Sequence, residues 1–379
     1  MPRAIKTSQP TERALIASLR QQAEGPSIRP GKGRLGPVRL GMGDDCAILR
    51  PPAGHEVLLT TDLSLETMHF RRDWHTPGSI GHRCLARGLS DLAAMGARPL
   101  AAFLSLALPR ELTVAQGQRP SWRDHFLRGL LALAQQQDVP LAGGDTAQSP
   151  LCLAGNLRAD STYASRSGPA PSGLVLADIV LVGSAPRGRA LLRSTAKAGD
   201  RIYVTGHLGG AAAELATLAA HPRRFSKLVD APSPTSPTVH PHLFPQPRLA
   251  VGQYLLARRL ATAAIDISDG PSTDLDHLCE ESGLAAIVDA AALPIHPLAL
   301  KMEHPLHTAL HGGEEYELLF TAPASARVPR SIAGVPITCI GVMHRARKNT
   351  PRMQLRTLHG RRHVLAPLLP LGWEHYRAR

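Results

Sequence analysis

Hydrophobic and polar positions along the chain switch between two periods, and the switches lay out the elements. Val57-Leu58-Leu59-Thr60-Thr61 is a short apolar run that predicts a buried strand delivering Asp62 at its C-terminal end. From Ser79 to Met95, Ile80, Cys84, Leu85, Leu89, Leu92 and Ala93 recur at helical spacing, with Gly96 as the stop. Leu100 to Leu108 predicts a strand and Trp122 to Gln137 an amphipathic helix; Val139-Pro140-Leu141-Ala142 then feeds Gly143-Gly144-Asp145-Thr146. A short helix is expected over residues 12–22. In the second half, strands are expected over Asp178–Gly183, Ile202–Gly206, Ala264–Ile267, Glu317–Thr321 and Ile337–Val342. Helices are expected over Gly210–Ala220, Leu249–Thr262 and Asp274–Ser282.

Two stretches break the pattern. Residues 154–177, rich in Ser, Gly, Pro and Ala, read as a long surface excursion. His221 to Pro247 holds seven prolines, which excludes a helix or a central strand and predicts a mobile loop. Alternating strands and helices on both sides predict an α/β or layered α+β fold. The 379 residues divide into two expected domains, 1–187 and 188–379, the second carrying the Pro-rich insertion 221–247.

Charge changes the picture once it is located. The formal net charge is +13, which by itself points to nucleic acid or an acidic surface. Residues 1–39 carry +6 and residues 344–379 carry +8, leaving −1 for residues 40–343. The basicity therefore belongs to the two ends, and no specific nucleic-acid partner is expected. Five scattered cysteines without a CxxC fit a reducing, cytoplasmic compartment. No signal-peptide pattern and no apolar run of membrane-spanning length occurs, so no membrane partner is expected.

The candidate chemistry is acidic. Asp44-Asp45, Asp62, Asp91, Asp145, Asp266 and Asp269 sit at predicted strand ends, in Gly turns or on the first long helix. Any one of them could be a solvated turn or a cap. As a set inside a neutral body they favour hard-cation binding, Mg2+ above all, shared with phosphates. Gly41-x-Gly43, Gly143-Gly144, Gly209-Gly210 and Gly312-Gly313 let backbone N–H groups approach an anion. GxxxxGK[ST], GxSxG, HExxH and the protein-kinase HRD/DFG set are absent from the sequence.

In order along the chain stand Gly41-Met42-Gly43-Asp44-Asp45, Thr60-Thr61-Asp62 with Glu66 and His69-Phe70, and Leu89-Ser90-Asp91-Leu92-Ala93-Ala94-Met95-Gly96. Gly143-Gly144-Asp145-Thr146, Gly188-Arg189-Ala190 with Arg193, Asp266-Ile267-Ser268-Asp269-Gly270 and Gly312-Gly313-Glu314-Glu315-Tyr316-Glu317-Leu318 follow. This series resembles the thiamine-monophosphate kinase family. The resemblance implies the two-domain fold of aminoimidazole-ribonucleotide synthetase, a homodimer paired through the N-terminal domains, and ATP-dependent phosphorylation of thiamine monophosphate with several Mg2+ ions. It implies Asp45, Thr60, Thr61, Asp62, Asp91, Asp145, Asp266 and Asp269 as metal ligands. Gly144, Asp145, Arg193 and Ser268 would contact ATP. His69, Glu314 and Trp373 would hold the thiamine moiety, and Asp62, Asp145 and Arg193 would carry the catalysis. Direct transfer is expected, because the acceptor is already a phosphate anion and needs no strong base.

Three positions depart from the family's pattern: Gly88 for the usual Asn, Pro271 for an apolar residue and Glu315 for the common Asp. Two alternatives stand beside this reading. One is another ATP-dependent synthetase of the same superfamily, although no Cys precedes Cys46 and none lies near the C-terminal end. The other is a basic nucleic-acid-binding protein, which leaves the Asp series unexplained.

Overall fold

Two β-sheets share the chain. The computed structural model describes residues 36–115, 119–149, 173–226, 228, 240–360 and 362–375. The helix expected over residues 12–22 lies outside them. A short ribbon of β1 (Val38–Leu40) and β2 (Ile48–Leu49) comes first. Then follow β3 (His55–Leu65), α1 (Pro77–Ala94), β4 (Arg98–Leu108), α2 (Trp122–Gln136), β5 (Leu141–Gln148) and β6 (Leu176–Pro186). The first sheet has the order β3-β6-β4-β5, antiparallel except for the parallel β4–β5 pair.

The chain then continues through β7 (Arg201–Thr205), α3 (Gly210–Ala220), α4 (Leu249–Ala257), β8 (Ala263–Asp266), α5 (Pro271–Ser282) and β9 (Leu284–Asp289). It ends with α6 (Pro305–His311), β10 (Leu318–Ala322), β11 (Ser331–Ile332), β12 (Val335–Arg345), β13 (Met353–His359) and β14 (Arg362–Pro367). These strands form the second sheet, β14-β13-β9-β12-β7-β10-β8, with β11 paired to β12.

Local chemistry explains the element starts. Thr76 caps α1 and is followed by Pro77, whose missing N–H is an orphan at that position anyway. Ser121 and Asp124 form a reciprocal capping box at the start of α2. Fifteen of the eighteen residues of α1 are buried, so it is a central helix and not a surface one. It lies between the first sheet, α2 and α4, and its far end reaches β8 of the second sheet. Leu85 and Leu89 are fully buried on it; truncating either to Ala is expected to cost about 2–5 kcal/mol.

The structure corrects three expectations. The helix from Leu249 stops at Ala257 instead of Thr262, because Arg259 adopts φ 51° and turns the chain into β8. Residues 154–172 of the expected excursion lie outside the described residues, but Val175 and Ala177 are fully buried at the start of β6. The third concerns the Pro-rich stretch, part of which (227 and 229–239) lies outside the described residues. Its last eight residues, His240–Pro247, are packed rather than mobile: His242, Leu243 and Phe244 are buried. Glu214 on α3 accepts hydrogen bonds from the N–H groups of His242 (2.8 Å) and Leu243 (3.2 Å). The described residues of the stretch form neither helix nor strand, yet a segment without regular structure can still be fixed when a buried carboxylate satisfies its N–H groups.

Candidate active site

The site is assembled where β3, α1 and β8 meet. Strict alternation along β3 turns Leu58, Thr60 and Asp62 toward α1 and leaves Val57, Leu59, Thr61 and Leu63 exposed on the other face. Thr60 Oγ1 donates to Asp91 Oδ2 of α1 at 2.5 Å. Thr61, on the opposite face, donates instead to Asp178 Oδ1 at 3.0 Å. On α1, Arg83, Arg87 and Asp91 follow at i, i+4 and i+8 and so share one stripe. Arg87 Nε and Nη2 reach Asp62 Oδ1 at 3.4 and 3.3 Å. Ser90 Oγ donates to Asp266 Oδ2 at 2.9 Å, which ties the first layer to the end of β8.

Asp266 is buried, Asp62 and Asp91 are half-buried beside it, and all three are harder to ionise than an ordinary carboxylate. Burial, offset by Arg87 and reinforced by Asp91, pushes Asp62 up to about 6. Burial followed by the charge of Asp91 pushes Asp266 up to about 7. Asp91 is raised by burial against the opposing pull of Thr60 and Arg193. Asp269, on the turn after β8, is raised by burial too. Arg193, in a short 3-10 turn at the surface, is the cation felt by Asp91, Asp266 and Asp269 together.

This donor set fits Mg2+. Its ligands are hard oxygens, and their mutual repulsion inside the protein is the condition that a divalent cation relieves. The described residues also hold a trio, Asp269, Asp274 and His277, whose ligand atoms lie within 4.8 Å of one another. Asp274 there is already engaged by the N–H groups of Asp269 (3.2 Å) and Gly270 (3.0 Å). Asp62, Asp91 and Asp266 spread more widely, which suits several ions shared with phosphate oxygens over one protein-only cage.

The other expected ligands stand apart from this junction. Asp45 is exposed on the loop between β1 and β2, where its N–H donates to Asp44 Oδ1 at 3.0 Å. Asp145 is exposed on β5, where the N–H of Thr146 donates to its Oδ1 at 2.8 Å. The loop that carries Asp45 approaches β5 at its start, where a Cβ on Gly41 would lie 3.7 Å from the Ala142 carbonyl. Gly144 has φ +147°, and a Cβ there would lie 1.9 Å from the Leu104 carbonyl, so only glycine fits this point on β5.

Residues expected around the thiamine moiety gather on the opposite side of Arg87. His69 Nδ1 accepts from the Leu65 N–H at 3.0 Å, which places its ring proton on Nε2. Burial and Arg87 lower its pKa to about 4, so the ring is neutral. His69 and Trp373 each lie 5.7 Å, ring to ring, from His375, which links them. The C-terminal tail is held to the site by Trp373 N–H donating to the Asp269 carbonyl at 2.9 Å and Gly372 N–H donating to Thr273 Oγ1 at 3.0 Å. The Ser268 carbonyl accepts from the Glu314 N–H at 2.7 Å, so the two expected contact residues are neighbours. Glu314 and Tyr316 hold left-handed backbone conformations, φ 63° and 51°, a strained loop of the kind found at ligand sites. The Glu314 carboxylate does not project free into the site: Arg83 Nη2 donates to Oε1, and His242 Nδ1 stands 3.3 Å from Oε2.

Several participants escaped the sequence reading: Arg83, Arg87, Tyr316, Asp178 and His242. The stripe spacing of Arg83, Arg87 and Asp91 on one predicted helix was the available signal for two of them. His242 sat in a segment read as a loop and carried no local signal. The departures have structural reasons. A Cβ on Gly88 would lie 2.8 Å from Leu181 Cδ1, so α1 rides closer to the sheet than a larger residue allows. Pro271 occupies the first turn of α5, where it needs no N–H. Glu315 accepts from the Ala211 N–H at 3.2 Å at the start of α3.

Residues 43–161 match the family described as AIR synthase related protein, N-terminal domain. The thiamine-monophosphate kinase of Salmonella typhimurium is 39% identical over 313 residues, covering 81% of this chain and 84% of that protein. The crystal structure of the thiamine-monophosphate kinase from Stenotrophomonas maltophilia is 32% identical, with a TM-score of 0.69 over 91% of this chain and 96% of that one. A structure of AaThiL complexed with AMPPCP and TMP shares the fold at a TM-score of 0.63 and 22% identity, over 99% and 100% of the two chains.

Proposed function

The chain belongs to the thiamine-monophosphate kinase family, and we propose that it transfers the γ-phosphoryl group of ATP to thiamine monophosphate, yielding thiamine diphosphate and ADP. The observation that carries this reading is the convergence of Asp62, Asp91 and Asp266 from β3, α1 and β8, with Arg87 on Asp62 and Arg193 as the cation felt by Asp91 and Asp266. Binding two phosphate-bearing substrates there requires that the carboxylate charge be neutralised first.

Asp62, Asp91, Asp266 and Asp269, with Thr60, would hold Mg2+ on this side of the site. Asp45 and Asp145, on the loop after β1 and on β5, would hold it on the other, where Gly144 would contact ATP. Bound among these residues, Mg2+ supplies charge neutralisation for the polyphosphate and for the transferring group. Arg193 is placed to accompany that charge, and its guanidinium can bridge two phosphate oxygens. The acceptor phosphate of thiamine monophosphate is already an oxyanion, so no group on the chain has to abstract a proton. The chain's task is alignment: His69, neutral and fixed by the Leu65 N–H, and Trp373, held by the Asp269 carbonyl, flank the acceptor's ring system. The transfer is direct, without a phosphoenzyme.

A homodimer accompanies this reading. Val57, Leu59 and Leu63 form an exposed apolar row on the face of β3 turned away from α1, at 55%, 67% and 47% exposure, which a second copy of the sheet would cover. We place the reaction in the cytoplasm, on the four described cysteines that stand unpaired. Purified protein incubated with ATP, Mg2+ and thiamine monophosphate should form thiamine diphosphate and ADP in equal amounts. Folded protein that forms neither overturns the reading.

A further inference from the structure

The Pro-rich insertion ends inside the site. His240–Pro247 lies against α1 and α3, held by hydrogen bonds to both helices. His240 Nδ1 pairs with Glu214 Oε1 at 2.6 Å, while Glu214 Oε2 takes the His242 and Leu243 N–H groups. His82 Nε2 of α1 lies 2.7 Å from the Pro245 carbonyl. Leu243 and Phe244 pack with Leu218. The outcome is that the His242 imidazole, 1% exposed, is driven between Arg83 and Glu314.

There it meets His75. Arg83 Nη1 stands 2.7 Å from His242 Nε2 and 3.0 Å from His75 Nε2, and the two Nε2 atoms are 2.9 Å apart. A guanidinium only donates, so His242 Nε2 accepts from Arg83 and its ring proton sits on Nδ1, facing Glu314 Oε2 at 3.3 Å. Arg83 Nη2 donates to the other Glu314 oxygen. Both faces of the Glu314 carboxylate are thereby set by groups that reach it through His242 and Arg83. Burial and the neighbouring Arg83 lower the pKa of both imidazoles, His75 to about 2, so the cluster holds a single ion pair and two neutral rings.

We infer that His242, carried by the Pro-rich insertion, is a positioning residue for the acceptor side of the site. It orients the Arg83–Glu314 ion pair, and through Glu314 the left-handed loop that adjoins Ser268. This rests on the thiamine-monophosphate kinase reading and adds a role for a segment that reading does not use.

The test is steady-state kinetics of the full-length protein with thiamine monophosphate and ATP varied separately. His242→Leu removes the acceptor for Arg83 and keeps the volume; it should raise KM for thiamine monophosphate by about tenfold or more, with KM for ATP within about twofold. His242→Gln returns an acceptor oxygen to Arg83 and should recover most of that loss. On a Glu314→Gln background, His242→Leu should add little, because both act through the same carboxylate. An unchanged KM for thiamine monophosphate in His242→Leu overturns the inference, as does a parallel change in both KM values and kcat or a failure of Gln to rescue. Should the Leu variant not fold, His75→Gln probes the same Arg83 contact with the same outcomes. Wild-type protein without kinase activity sinks the functional reading instead, so the two failures are told apart.

Discussion

Arg83 and Asp91 stand eight residues apart on one stripe of α1, in opposite electrostatic circumstances. Around Arg83 the charges close: one guanidinium, one carboxylate and two imidazoles kept neutral by burial, each in contact with the next. Around Asp91 they stay open: Asp62, Asp91 and Asp266 each resist ionisation, with Arg87 reaching only Asp62, at 3.3 Å, and Arg193 at the surface. A closed cluster fixes geometry, since every partner is already inside the protein. An open one reserves its balance for something brought in. In the proposed reading the same helix would supply a rigid wall for one substrate and an anionic seat for cations.

The largest effect tests the open cluster directly. Asp62→Asn should lower turnover on the order of 10³-fold while leaving the unfolding temperature unchanged or raised, because it removes a repelling neighbour of Asp91. A near-normal rate in Asp62→Asn would break the distinction between the two clusters. Next comes acid stability, set by His75 in the closed cluster and by His82 of α1, which faces the Pro245 carbonyl. His75 and His82 are buried with folded-state pKa values of about 2 and about 4, below the unfolded value of 6.5. Their contribution is fully present above about pH 6.5 and is lost as pH falls toward the folded values, about 2 kcal/mol each by pH 5. Denaturant unfolding at pH 7.5 and pH 5 should show that loss, and replacing His82 with Gln should remove its share.

A smaller shift should come from Mg2+. Saturating Mg2+ without nucleotide is expected to stabilise the wild-type fold by up to about 3 kcal/mol, seen as a rise of several degrees in unfolding temperature. Asp91→Asn should lose most of the rise, whereas His242→Gln should keep it. Equal responses in the two variants would mean that the clusters are not functionally separate. The smallest effect concerns the joint between layers. Ser90→Ala removes the hydrogen bond to Asp266 and should cost about 1 kcal/mol of stability, measured by chemical unfolding.

Much of this was legible before folding was considered. The strand that delivers Asp62 and the helix that carries Asp91 were both expected, although Val57–Thr61, expected as a buried strand, leaves Val57 and Leu59 exposed. The motif series carried the family resemblance, and identity over 81% of the chain supports it. What could not be read was partnership across long separations. Glu314 was expected to meet substrate, yet it is engaged by residues 231 positions earlier and 72 earlier in the chain. The prolines of 221–247 excluded helix and strand, as holds among its described residues, but gave a wrong statement about mobility at its C-terminal end, because mobility depends on what the segment packs against.

The sequence alone determined the elements, the side of each strand or helix that a residue occupies, and the inventory of carboxylates, since those depend on local periodicity and residue chemistry. Tertiary structure decided which charges face one another and which find partners. Burial and proximity set the ionisation of Asp62 and Asp266 and the neutrality of His75 and His242, and both are properties of the assembled interior, where lost hydration must be replaced by a neighbour.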